Sequence, residues 1–167
     1  QSPAASTPMA HDSIFRIFSM TKPIVSVGIM MLVEDGYFVL GDPVAKFIPE
    51  FAEQKVGVEN NGKIDLVPVK RQMTVQDLLR HTSGLTYGFQ ARTNVDAAYR
   101  QHKVDPFERA EGIDSFIDTL SKLPLEFSPG TAWNYSVSTA VLGYLVGKIS
   151  GMPFAQFLQQ RIFGPMG

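Results

Sequence analysis

At 167 residues and 44% hydrophobic side chains, the chain has the material for one ordinary globular domain with a real core. Its 15 basic and 16 acidic side chains give a net charge of -1 and are scattered, which leaves no footprint for nucleic acid and no polybasic membrane patch. The absence of cysteine excludes disulfides, thiolate metal sites and a cysteine nucleophile. The three histidines (His11, His81, His102) lie far apart and form no HxxxH or HExxH pattern, so no metal site is expected.

The opening "QSPAASTPMAHD" has no basic start and no apolar stretch, so it does not read as a secretory leader. The chain begins on Gln1, and its natural start is expected upstream. Ile24 to Val33, the longest apolar run, is too short to cross a bilayer. A soluble protein without a membrane span is expected, its compartment open between cytoplasm and periplasm.

Residues 1–12 read as a small-residue, Pro-containing arm, and residues 13–167 as the domain. Ser19 opens a helix with Pro23 in its first turn, where a missing N–H costs little. Apolar residues from Ile24 to Val33 cover nearly every face, which predicts a helix buried all round, stopped at Gly36. "GDPVAKFIPEF" reads as a short helix capped by Asp42 with Pro43 at its first position. "KVGVENNGKIDLVPVK" predicts a β-hairpin turning at Asn61-Gly62. "MTVQDLLRHTSGL" predicts a helix with Thr74 and Asp77 as a capping-box pair and Gly84 as its stop. Residues 86–110 are polar, aromatic and irregular, and read as a surface excursion. Helices are expected at about 112–122, 136–150 and 153–163. The result is a mostly helical chain with one small hairpin.

Ser19-Met20-Thr21-Lys22 fits S-x-x-K. On a helix, positions i and i+3 share a face, so the Lys22 amine can reach the Ser19 hydroxyl. Apolar surroundings would lower the lysine pKa and leave a neutral base. The competing reading is a capping serine beside a lysine that extends to water, and the four-residue pattern alone does not choose between them. In "SPGTAWNYS", Tyr135 at the start of an apolar helix could share the base role with a neutral lysine, or simply pack as a half-buried aromatic. "RHTSGL" is not a nucleophile elbow, which needs G-x-S-x-G; it reads as a helix C-terminus whose hydroxyls and glycine satisfy free carbonyls. Asn134-Tyr135-Ser136 matches a glycosylation acceptor only by accident, because a glycan there would obstruct Tyr135.

The order of the pieces carries more than any one of them. "FSMTKP", "DPVAKFIPEF", "TVQDLLRHTSGL", "SPGTAWNYSVSTAVLGYLVGKISG" and "RIFGPMG" follow one another as in the serine β-lactamase-like superfamily of class C β-lactamases and penicillin-binding proteins. The closest resemblance is to its family VIII carboxylesterases, and it runs from about Asp12 to the last residue. It implies an α/β (α+β) serine β-lactamase/transpeptidase-like fold, represented here mainly by the helical subdomain. It also implies a small-molecule ester substrate, no cofactor, Ser19 as acylated nucleophile, Lys22 as its base partner and Tyr135 as second general base. The Ser19 backbone N–H would form half of an oxyanion hole. The alternatives are a β-lactamase or D,D-peptidase, and a non-catalytic homologue that binds acyl or peptidoglycan-like ligands.

Two departures from the family pattern matter. The second motif is usually Y-x-N, and here Val137 replaces the amide, which favours simple esters over β-lactams. The third motif, K-T-G or a W/H-x-G variant on a sheet strand, is not supplied by the 32 residues after Tyr135, and the flanking N-terminal strands are missing too. The chain is therefore expected to be a fragment, its missing strands supplied by another segment or chain.

Overall fold

In the computed structural model, which describes residues 8–105 and 112–167, a single 3-10 turn (Phe18–Met20) leads into helix α1 (Thr21–Glu34). The helix stops where Gly36 takes a φ of 81°. There the Gly36 N–H bonds Val33 O at 3.0 Å and the Tyr37 N–H bonds Leu32 O at 3.1 Å, the paired bonds of a left-handed cap. The expected burial of α1 on every side needs correction. Val25, Gly28, Ile29 and Leu32 are buried, but Val27 and Met30 are 50% and 40% exposed. A helix that is apolar on nearly every face carries little phase, so its pattern cannot say which face is covered.

The stretch after α1 also departs from expectation. In place of a helix capped by Asp42 there are two 3-10 turns, Val44–Lys46 and Pro49–Phe51. The Asp42 carboxylate turns back instead, accepting from the Val39 N–H at 3.1 Å and from Lys46 Nζ at 2.9 Å. Pro49 supplies no N–H to continue a helical ladder.

The hairpin forms as predicted. Strands β1 (Lys55–Asn60) and β2 (Lys63–Pro68) pair antiparallel, with Asn61 and Gly62 both at positive φ, 49° and 77°. It docks on the body through Leu125, whose N–H bonds Lys55 O at 2.8 Å while its carbonyl accepts from Gly57 N at 2.9 Å. A Cβ at Gly57 would stand 2.7 Å from Val95 Cγ2, so this approach needs a bare backbone.

Helix α2 (Val75–Arg80) opens with the predicted Thr74/Asp77 capping box. It ends at His81, with a φ of 57°, and Gly84 turns the chain only later. Asp77 is buried and also receives both Arg71 guanidinium nitrogens, at 2.6 and 2.9 Å, and the Thr82 hydroxyl at 2.9 Å. Burial opposes its charge, but these donors outweigh it and hold the carboxyl at about 2. A depressed carboxylate stabilises the fold above its unfolded value, and that share is lost as the pH falls from about 4 toward 2. Asp77→Ala in the complete protein should therefore cost on the order of 3 kcal/mol at neutral pH, the low end for a broken buried pair because Arg71 stays partly in water. The cost should shrink near pH 2 in denaturant titrations. An equal loss at both pH values would show that the charge is not what holds this turn.

The excursion over 86–110 contains a helix the composition concealed. After a 3-10 turn (Gly88–Gln90), α3 (Asn94–Gln101) starts with a second capping box, Thr93/Asp96. Residues 106–110 of that excursion lie outside the described residues. Helices α4 (Ile113–Ser121), α5 (Ser138–Ser150) and α6 (Phe154–Leu158) stand where expected, and α6 widens through a π turn (Gln159–Phe163) into the short α7 (Gly164–Met166). Helix α1 packs along α5. Gly28 lets the ring of Phe157 in, since a Cβ there would lie 3.3 Å from Phe157 Cε1. No helix among the described residues is long and apolar enough to cross a membrane.

Candidate active site

Ser19 stands in the 3-10 turn immediately after Phe18, whose φ of 44° is left-handed for a bulky side chain. Such a conformation costs on the order of 1–3 kcal/mol and recurs where a reactive group must be presented. Ser19 is exposed, and its hydroxyl lies 2.8 Å from the Tyr135 hydroxyl. Lys22, three residues further on at the start of α1, donates from Nζ to Ser19 Oγ at 3.3 Å. Its Nζ also stands 4.7 Å from the centre of the Tyr135 ring. The fold thus brings together all three residues singled out in the sequence, two from one turn and one from 116 residues away.

Electrostatics at the trio run opposite to the expectation of a neutral lysine. Burial does lower the Lys22 pKa, but its bonds and charge interactions with the Tyr135 and Tyr87 phenols more than reverse this, and the net shift is upward. The Tyr135 phenol shifts the other way. Burial raises it, but hydrogen bonds from Lys22 and Ser19 and the Lys22 charge bring it below its ordinary value. Lys22 is only half-buried and is ringed by hydroxyls, so the apolar character of its neighbours in sequence does not describe its neighbours in space.

Three elements hold Tyr135 in place. Its carbonyl accepts from Gln90 Nε2, and the Asn134 amide before it donates to Leu85 O at 3.2 Å and Thr86 Oγ1 at 3.0 Å while accepting from Arg92 at 2.9 Å. With its amide engaged in this way, Asn134 does the work of a structural brace. Sequence reasoning did not identify two aromatic neighbours. Tyr87 lies 5.3 Å from the Tyr135 ring and stacks on Phe89 at 4.8 Å, and Asp105 fixes this turn by accepting from the N–H groups of Gly88 and Phe89 at 2.9 and 2.8 Å. The i, i+2 aromatics of "TYGF" were the available signal.

A cavity of about 940 Å³ opens beside Ser19, walled by Lys22, Tyr87, Phe89, Tyr135, Gly143 and Phe154 among others. Val137 does not line it; the side chain is 1% exposed and belongs to the core. Val137 packs inward, so it does not stand in for a substrate-facing amide as its place in the second motif implied. No cluster of three or more histidine, aspartate or glutamate side chains is placed to hold a metal ion among the described residues.

The family described as Beta-lactamase matches residues 1–167. The chain belongs to this family. Among its relatives, Protein Rv1367c of Mycobacterium tuberculosis is 38% identical over 164 residues, covering 98% of this chain and 40% of that protein. Esterase EstB of Burkholderia gladioli is 33% identical over 165 residues, 98% of this chain and 39% of that protein. The unliganded simvastatin synthase (LovD) of Aspergillus terreus superposes with a TM-score of 0.77 at 26% identity, covering 96% of this chain and 40% of that one. This beta-lactamase-family chain therefore spans about 40% of the length of the relatives it matches. Its helices and the hairpin among the described residues are the serine β-lactamase/transpeptidase-like fold that the motif order implied.

Proposed function

We propose that the chain carries the nucleophile-bearing part of a serine hydrolase that cleaves carboxylic esters through an acyl-enzyme on Ser19, in the manner of the family VIII carboxylesterases. The observation that carries this reading is the 2.8 Å contact between the Ser19 and Tyr135 hydroxyls with Lys22 Nζ donating to the same serine. An ammonium at Lys22 has no lone pair for the serine proton, so that proton passes to Tyr135 in its phenolate form, the group whose pKa is lowered. Ser19 Oγ then bonds to the ester carbonyl carbon, and the carbonyl electrons become an oxyanion received by the Ser19 N–H. Collapse of this intermediate expels the alcohol, which takes the proton back from Tyr135. Water, deprotonated by Tyr135, attacks the acyl carbon, and Ser19 leaves with that proton. Lys22 works here as the cation that keeps Tyr135 competent as a base.

The name of the EstB relative and the apolar wall of the cavity favour esters over β-lactams. Residues 13–167 are then the helical part of a larger domain preceded by the arm 1–12, with the central sheet, the third motif and the second oxyanion donor contributed by another segment or chain. On the complete enzyme, a fluorophosphonate should add mass to the peptide carrying Ser19, and a p-nitrophenyl ester should be cleaved with higher kcat/KM than nitrocefin. Labelling that persists in Ser19→Ala would sink the assignment, and a preference for nitrocefin would move it to the β-lactamases.

A further inference from the structure

We infer that His81 is a positioning residue for Tyr135. Its carbonyl holds the chain before the phenol, its imidazole holds the chain after it, and the imidazole is itself fixed by a buried line of serine hydroxyls. This inference rests on the reading of Tyr135 as the proton-transfer group.

His81 closes α2 in the left-handed region, at φ 57° and ψ 34°, a place where glycine or asparagine costs least. What the strained backbone achieves is a direction: the residue faces the segment before α5. The His81 carbonyl accepts from the Asn134 N–H at 2.9 Å, and its Nδ1 accepts from the Ser136 N–H at 3.3 Å. One residue thereby satisfies the N–H groups on either side of Tyr135, and its ring lies 5.0 Å from the phenol ring. Trp133 meets the imidazole edge-on, with ring centres 6.2 Å apart.

Behind the imidazole runs a hydroxyl chain. Ser136 Oγ is 3.2 Å from His81 Nδ1, Ser138 Oγ is 2.7 Å from Ser136 Oγ, and Ser83 Oγ is 2.8 Å from Ser138 Oγ. All three serines are fully buried. The far end is set by the Leu85 N–H, which donates to Ser83 Oγ at 3.2 Å. One proton per hydroxyl gives a consistent order: Ser83 donates to Ser138, Ser138 to Ser136, and Ser136 to Nδ1. Because Nδ1 accepts from a backbone N–H, the ring proton must sit on Nε2 and the imidazole must be neutral. An imidazolium would aim an N–H at the Ser136 N–H, and every hydroxyl in the line would lose its order.

The charged group facing the ring is Lys22 from α1; Tyr135 is the titratable group on the segment before α5. On α2, Asp77 is committed to Arg71 and the two threonines, and Arg80 is the preceding residue. Burial first and the Lys22 charge second push the His81 pKa down, in keeping with the neutral ring the bonds require. Acidification through that lowered midpoint should free Tyr135 from its seat and reduce kcat with little change in KM.

The test compares the complete enzyme with His81→Gly, which keeps the backbone conformation and removes the ring, and with His81→Asn. Asparagine tolerates the same backbone and offers an oxygen near Nδ1 that does not titrate. His81→Gly should lower kcat about 10²-fold, as expected for a misplacement of about 1 Å, with KM within about twofold. His81→Asn should recover most of that loss and remove the His81 component of the acid limb. A second readout needs no turnover: with 15N-histidine and ring-labelled tyrosine, NMR should show an unprotonated Nδ1 and a Tyr135 signal that moves with the His81 midpoint. In His81→Asn that movement should vanish. A protonated Nδ1, a Tyr135 signal indifferent to His81, or wild-type kcat in His81→Gly would each overturn the inference. A wild-type enzyme that hydrolyses no ester while Tyr135 still follows His81 would remove the esterase reading and leave the positioning role standing.

Discussion

Tyr135→Phe in the complete enzyme should lower kcat/KM for an ester by about 10³–10⁴, within the range for losing a general base that acts as part of a unit. The phenylalanine fills the same space, so unfolding free energy and KM should change little. Lys22→Ala should bring a loss of similar size together with a diagnostic shift. In the wild type the Tyr135 phenol is held below its ordinary value by the Lys22 bond and charge and by Ser19, against the opposing effect of burial. Removing the cation leaves burial less opposed, so the phenol pKa rises and the rising limb of the pH profile moves to higher pH. Lys22→Arg keeps the charge and should move it much less. If Lys22→Ala keeps the limb where it was, Lys22 does not tune Tyr135, and the division of labour given above is wrong.

Residues 1–167 purified alone should hydrolyse esters barely above background. Losing one oxyanion donor typically costs 10²–10³ in kcat, and the proposed missing sheet carries the second donor together with the third motif. The α1 face bearing Val27 and Met30 is exposed, and so are Ile14, Phe15, Phe18 and Met20 just before it. These six exposed apolar side chains lie within 17 residues of chain, and the isolated chain should bind a hydrophobic dye and aggregate. Extending the chain to the length of its relatives should suppress dye binding and restore turnover together. A monodisperse 167-residue monomer with full activity would remove the proposal that this is part of a larger domain.

Much of this was legible in the sequence wherever the determinant was local. Asn61-Gly62 has few conformations open to it besides the tight turn it forms, and Thr74/Asp77 announced α2. The same Thr-x-x-Asp signature opens α3 at Thr93, but the polar and aromatic residues around it hid the helix. Asp42 shows the limit of such signals, because its carboxylate, beside Pro43, took the Val39 N–H behind it and the Lys46 side chain ahead in place of a helix-opening N–H. At the site, Ser19, Lys22 and Tyr135 could be named because two share a helical spacing and the third completes a motif order. The direction of the Lys22 shift could not be read, since it is decided by phenols from two distant segments. His81 escaped for a similar reason: its contacts lie 53 to 57 residues along the chain, at Asn134, Ser136 and Ser138 by way of the serines.

Ser19 and Tyr135 touch across 116 residues of chain. At ribosomal speeds of about 5–20 residues per second, the serine is made roughly ten seconds before the group that would take its proton. Through that interval Ser19 and Lys22 are already neighbours on one turn, yet the hydroxyl is an ordinary alcohol with no base beside it. On the mechanism proposed above, reactivity arrives only when the second half of the helical body closes on the first, and a chain whose synthesis stalls in between carries no live nucleophile.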